Sequence, residues 1–134
     1  MLPFVMLNPS TADADLDDPT IRRCVGFARR EGAGGIVVAN LYAFRATDPA
    51  ALMKASDPYG PDNDDALKAV AAEAAATGMP IVCAWGVHGG KSNRPIVLLQ
   101  SRGARLLCLG KTKDGNPRHP LYVAGSQPLE VFRD

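Results

Sequence analysis

Four runs of consecutive apolar residues divide the chain: PFVML at 3–7, GIVVANLYAF at 35–44, PIVCAW at 80–85 and ARLLCLG at 104–110. Each is β-branched or leucine-rich and nearly continuous, without the alternation of a strand that has one wet face. Such runs are the pattern of strands covered on both sides, as in a parallel sheet. Between them the apolar positions fall into helical spacing. DPTIRRCVGFARREGAG (18–34) places Asp18 at an N-cap and Pro19 at the first helical position. Ile21, Cys24, Val25, Phe27 and Ala28 follow on one stripe, and Gly32 or Gly34 supplies the stop. DPAALMKA (48–55) repeats the Asp-Pro start. DNDDALKAVAAEAAATG (62–78) carries acids in its first turn, where the helix dipole favours them, and the stripe Leu67, Val70, Ala71 and Ala74. RPIVLLQSRG (94–103) is a shorter helix.

Strand and helix alternate throughout, so repeated right-handed crossovers are expected. The fold class this predicts is α/β: a three-layer α/β/α sandwich with a four-stranded parallel sheet, formed by residues 1–134 as a single domain. The chain of 134 residues is long enough to bury roughly two thirds of its unfolded surface. The first strand begins almost at Met1, which raises the expectation of a further N-terminal element in the natural protein.

Composition narrows the picture only a little. Charged residues make up 22% and the formal net charge is +1, which argues neither for nor against a nucleic-acid partner; any basic surface has to be local. The cysteines, Cys24, Cys83 and Cys108, form no Cys-x-x-Cys pair, and the last two sit inside apolar runs as small core residues. An odd count without framework spacing points to a reducing compartment, and no cysteine-based metal centre or cofactor is expected. No signal-peptide pattern precedes the first strand, and no apolar run approaches the ~20 residues of a spanning helix. A cytoplasmic protein with no membrane partner is the expectation.

In open parallel sheets, ligands bind in the crevice beyond the carboxyl ends of the strands. Three irregular segments, 9–17, 86–93 and 110–122, directly follow strands, and the polar residues gather at these ends. Strand 1 runs into Asn8-Pro9-Ser10-Thr11; Pro9 forces Asn8 out of the α region and ends the strand. Asn8 then either closes an Asx-type turn or holds a water or ligand at the crevice mouth. Asn40 lies inside the apolar run VVANLYAF. A buried amide there costs roughly 1–3 kcal/mol unless it is hydrogen-bonded. It either satisfies a neighbouring loop or reads a ligand with a paired donor and acceptor, such as a pyrimidine edge. Strand 3 ends in Trp85-Gly86. Strand 4 leads to KTKDGNPRHPLY (111–122), where His119 stands in a loop stiffened by Pro117 and Pro120. His119 is either a surface residue or a donor to a developing negative charge. Lys111, Lys113 and Arg118 cluster beside it and are the better candidates for a phosphate. Arg22, Arg23, Arg29 and Arg30 read as a solvent face. Asp13, Asp15, Asp17 and Asp18 read as a helix cap and a solvated loop rather than a metal site, and His88 as solvated. The chain has no G-x-G-x-x-G, Walker or G-x-S-x-G motif.

FVMLNPSTAD, DDPTIRRC, NLYAFRATDP and TKDGNPRHPLY closely resemble the bacterial domain-of-unknown-function 1643 family over essentially the whole chain. A second resemblance is to the uracil-DNA glycosylase superfamily. In that superfamily a four-stranded parallel sheet carries a Gly-x-Asp-Pro or Gly-x-Asn-Pro motif after strand 1, a base-reading Asn on strand 2 and a His-Pro-Ser motif after the last strand. Asn8-Pro9, Asn40 and His119-Pro120 occur here in that order; Met6 stands in place of the first motif's Gly and Leu121 in place of the last motif's Ser. The resemblance implies a pocket that holds a nucleobase, nucleotide or nucleic acid at the carboxyl edge of the sheet. Asn8 and His119 would be its catalytic candidates, and Pro9, Ser10, Asn40, Trp85, Lys111, Lys113 and Arg118 its ligand contacts. Binding without reaction is one expectation, made a little stronger by the neutral Asn8, which cannot act as a general base. Hydrolysis of an N-glycosidic bond is the second, and a protein-interaction domain on the same scaffold the third.

Overall fold

The computed structural model describes residues 1–7, 19–41, 63–87 and 94–133. The described elements run β1 (Leu2–Met6), α1 (Pro19–Arg30), β2 (Ile36–Asn40), α2 (Asn63–Thr77), β3 (Ile81–Cys83), α3 (Arg94–Gln100), β4 (Leu106–Cys108), a 3-10 turn (Pro120–Tyr122) and β5 (Glu130–Arg133). All four expected strands are present, and those four pair only in parallel. The sheet itself differs from the expectation. It has five strands in the order β2-β1-β3-β4-β5, and β5 is antiparallel to β4, so the sheet is mixed. The helix expected at 48–55 and residues 42–44 of the second apolar run lie outside the described residues.

The helix signals work locally as the sequence suggests. Pro19 is the first residue of α1, where its fixed φ suits the helix and its missing N–H is not needed. Gly32 ends the helix at φ +81. The Ala33 amide donates to the Ala28 carbonyl at 2.9 Å and the Gly32 amide to the Arg29 carbonyl at 3.0 Å, which caps the last turn with a left-handed residue. Asp64 and Asp65 occupy the first turn of α2.

Every residue of β1 is buried, as its unbroken apolar run requires. Its side chains divide between two cores by strand alternation. Leu2, Phe4 and Met6 pack with Cys24, Phe27 and Ala28 of α1, together with Val82, Ala84, Leu109 and Val123. Val5 faces the other way. It packs with Leu67, Ala71 and Ala74 of α2, Leu99 of α3, and Ile81, Cys83, Leu106 and Cys108 of the sheet. Helices therefore cover both faces of the central strands. β2 is an edge strand and is wetter, with Val37 and Val38 exposed.

β5 closes the other edge. Leu106 pairs with Arg133 but Leu107 with Val131, so the register skips Phe132. Phe132 is buried against Trp85, edge to face at 5.4 Å between ring centroids and 85° between planes. Cys83 and Cys108 are register partners on adjacent strands. Burial pushes the Cys83 thiol well up, Cys108 adds to the effect and Arg133 opposes it. Burial also raises Cys108, opposed by the Gly110 amide and reinforced by the Glu130 carboxylate.

Phe132→Ala is expected to cost about 3–5 kcal/mol in urea unfolding, the usual range for deleting a buried aromatic ring. It should also alter the emission of Trp85, the only tryptophan. A second expectation concerns pH. The unfolded thiols ionise near pH 8.5, whereas Cys83 and Cys108 hold their protons to higher pH in the fold. The unfolded chain therefore loses protons first, and this contribution to stability is intact below about pH 8.5 and is lost as the pH rises further. Urea midpoints measured on either side of about pH 8.5, in the parent and in Cys83→Ala, test this; a smaller alkaline loss in the variant is the expected result.

Candidate functional site

The strand order sets the place of the site. From β1 the chain passes to β2 on one side, and from β3 it passes to β4 on the other. The carboxyl ends of the adjacent strands β1 and β3 are thus the topological switch point, where diverging connections leave a crevice. Leu7 follows β1 on one side of it and Gly86 lies in the turn after β3 on the other.

The loop after β4 reaches this crevice as a short hairpin. The Thr112 amide donates to the Asn116 carbonyl at 2.8 Å, the Asn116 amide to Thr112 Oγ1 at 3.1 Å, and the Arg118 amide to the Gly110 carbonyl at 3.0 Å. Lys111 bridges Pro117 across the hairpin. The returning limb then docks on the end of β3, where the Gly86 amide donates to the Pro117 carbonyl at 2.9 Å. Gly86 has φ +78, and a Cβ built on it would stand 3.5 Å from the His119 Cβ. The turn after β3 therefore needs a residue that tolerates left-handed backbone, and it lies directly against His119.

His119 caps the 3-10 turn. Its Nδ1 accepts the Leu121 amide at 3.2 Å. A neutral imidazole that accepts at Nδ1 carries its hydrogen on Nε2, so the hydrogen bond selects a ring that donates from Nε2. The Tyr122 ring lies beside it, 5.6 Å away between centroids and tilted by 53°. Tyr122 is 79% exposed.

Asn40 ends β2, in register with Met6. Met6 belongs to the core on the α1 side, while Ala39 and Leu41 belong to the opposite core. Alternation therefore directs Asn40 to the α1 side. The turn after His119 is on that side too, because Val123 packs in the α1-side core. Asn40 and the turn that His119 opens thus lie on one face of the sheet. Trp85 is placed apart from them: it is 5% exposed and buried in the opposite core, so the expectation that it lines the pocket gives way to a packing role against Phe132. Lys111, Lys113 and Arg118 are exposed on the hairpin. Lys113 is in the turn at its tip. Arg118 folds back so that its Nε donates to the Lys111 carbonyl at 3.2 Å. Asn8, Pro9 and Ser10 lie outside the described residues, as do His88 and the acidic loop of Asp13, Asp15, Asp17 and Asp18. Among the described residues, no group of three or more His, Cys, Asp or Glu side chains is arranged to hold a metal ion. No helix among them is long and apolar enough to cross a membrane.

The profile of DUF1643, described as a protein of unknown function, matches residues 1–121. The chain belongs to the DUF1643 family. No curated protein and no solved structure matches it. The matched span of this DUF1643 domain includes β1 to β4, the hairpin and His119, and it stops short of β5.

The contacts that sequence reading missed are on α1. Arg23 and Arg30, read as part of a solvent face, reach across to the returning chain. Arg23 Nε donates to the Pro120 carbonyl at 3.3 Å and its Nη2 to the Val123 carbonyl at 2.8 Å. Arg30 Nη1 donates to the carbonyls of Gly125, at 3.1 Å, and Gln127. The signal was present: Arg23, Phe27 and Arg30 recur on one helical face, and both guanidinium groups lie over the Phe27 ring, at 5.9 and 4.9 Å from its centroid.

Gly86→Ala tests the β3 turn. The added methyl meets only ordinary van der Waals contact, so the cost is that of left-handed backbone, about 1–2 kcal/mol in chemical unfolding. The His119 ring resonances should shift in the same variant.

Proposed function

We propose that this domain binds a nucleobase or nucleotide at the switch point between β1 and β3, in a pocket organised like that of the uracil-DNA glycosylase superfamily. What supports the reading is that strand alternation directs Asn40 to the α1 side of the sheet, and that the turn opened by His119 lies at the end of β3 with Val123 in the α1-side core. Parallel strands lie about 4.8 Å apart, so a residue of β2 is roughly 10 Å from the end of β3 across β1. A planar heterocycle with a hydrogen bond at each end spans a gap of that order. Asn40 offers both a donor and an acceptor, which suits the edge of a pyrimidine. His119, held as the Nε2–H ring, offers a donor to a carbonyl or to a negative charge on the base. Asn8, with Pro9 and Ser10 after it, would supply the near wall. Lys111, Lys113 and Arg118 would meet a phosphate or a nucleic-acid backbone, and the loss of affinity with added salt would measure their share.

A second reading is favoured by the hydrogen bond at His119 Nδ1. A neutral imidazole fixed as an Nε2 donor is suited to stabilise a leaving base anion, the demand made by cleavage of an N-glycosidic bond. A base inside a duplex would first have to be flipped out. Asn8 is neutral and cannot itself take a proton from water as a carboxylate would, so binding is the primary proposal and hydrolysis the alternative.

The test is titration with uridine 5′-monophosphate and with a uracil-containing single strand, run beside an assay for release of free base. Saturable binding, weakened about tenfold in Asn40→Ala, is expected from the loss of one or two hydrogen bonds to the ligand. If base is released, His119→Ala should slow release by about 10²–10³-fold, the usual effect of removing one preorganised donor. Asn8→Asp should raise a weak release. Failure of the parent to bind either probe at millimolar concentration rejects the nucleotide reading.

A further inference from the structure

We infer that Arg23 of α1 is a positioning residue for His119, a role that rests on the site proposed above. The guanidinium holds both ends of the turn that the histidine opens: Nε donates to the carbonyl of Pro120, the residue after His119, and Nη2 to the carbonyl of Val123, the residue after the turn. The turn between them is a single 3-10 turn, with the Tyr122 amide donating to the His119 carbonyl at 3.0 Å. One such turn has too few internal hydrogen bonds to hold its own shape. The Leu121 amide, which fixes the imidazole through Nδ1, belongs to it. Anything that lets the turn open therefore releases the ring.

Arginine suits the task because its donors are held in a fixed planar fork and can take two carbonyls in a defined relation to each other. The guanidinium is set beside an aromatic face, its carbon 5.9 Å from the centroid of Phe27, which is buried in the α1-side core. Gly125 lies beside the fork: a Cβ built there would stand 3.8 Å from Arg23 Nη1, an ordinary van der Waals contact. Arg30, two helical turns further on, holds the next stretch of the same segment through Gly125 and Gln127. The division of labour follows from position. Arg30 anchors the chain on its way to β5, and Arg23 anchors the turn that carries the histidine.

The experiment uses Arg23→Met, which keeps an unbranched apolar stem and removes the donors, and needs no ligand in its first arm. Amide exchange at Leu121 and Tyr122 is expected to speed up about tenfold, in keeping with the loss of a charge-assisted hydrogen bond. The His119 Nδ1 resonance should move toward that of an unbonded ring nitrogen. The amides of Ile81 and Ala84, bonded to Arg105 and Val5 inside the sheet, should exchange as in the parent. Unchanged exchange at Leu121, or an equal rise at Leu121, Ile81 and Ala84, overturns the assignment. The second arm is a double-mutant cycle with uridine 5′-monophosphate as the probe. Arg23→Met should weaken binding in the parent and have no further effect in a His119→Ala background, because it acts through the histidine. Additive losses would mean that Arg23 works elsewhere and would overturn the proposal. If the parent does not bind the probe, the nucleotide reading fails while the exchange arm still decides the role of Arg23.

Discussion

The backbone of β1 is paired on both sides, to β2 and to β3, while all five of its side chains are excluded from water. The rest of the structure follows from satisfying that strand. A parallel strand cannot be joined to its neighbour by a tight turn, so each connection must cross a face of the sheet. With apolar side chains on both faces of β1, each face needs a helical layer. Phe4 requires what α1 supplies, and Val5 what α2 and α3 supply. Because neighbours of β1 lie on both sides, the crossovers must diverge, and the switch point at its carboxyl end is a consequence of packing the strand. Asn40 ends β2 on one side of it, and the turn after β3 meets the hairpin that carries His119 on the other.

The far edge of the sheet is solved differently. β4 would present an open edge after Cys108, and an open edge invites pairing with another chain. The chain returns to cover it with β5, and that return is held by main-chain contacts. Arg23 and Arg30 bind carbonyls of residues 120, 123, 125 and 127 and no side chain of that segment. The contacts at the two ends of the segment are apolar: Val123 and Leu129 lie in or against the α1-side core, and Phe132 in the opposite one. A device that grips the backbone links α1, the histidine turn and β5 in one mechanical unit.

Most of the architecture was legible because burial on both faces leaves a strong mark. The four continuous apolar runs became the four parallel strands, and Pro19 and Gly32 bounded the helix they suggested. β5 was not legible for the opposite reason. It is four residues long with only Phe132 buried, and its register skips at that residue, so it has neither the continuous nor the alternating pattern. Trp85 was misjudged because a strand-end aromatic reads the same whether it faces a crevice or a core; only the presence of Phe132 decides between them. Arg23 and Arg30 were read as solvent-facing because an arginine that bonds carbonyls leaves no complementary charge elsewhere in the sequence. A salt bridge announces itself through two residues, whereas this contact announces itself through one.

That asymmetry also bears on what the site can vary. Since the segment after His119 is docked through its carbonyls, the side chains of Leu121 and Tyr122 are not needed to hold it, and both are exposed, at 44% and 79%. His119 is held by the Leu121 amide at Nδ1. The position of the imidazole is therefore fixed by the fold, while the residues next to it can change without disturbing the docking. A rigid donor with replaceable neighbours is the arrangement in which a scaffold retains one recognition element and alters what lies beside it. In this chain those positions hold a leucine and a tyrosine, and the tyrosine ring lies beside the imidazole at 5.6 Å between centroids, tilted by 53° to it, so a substitution at 122 changes what the imidazole stands against without touching the contacts that hold the turn.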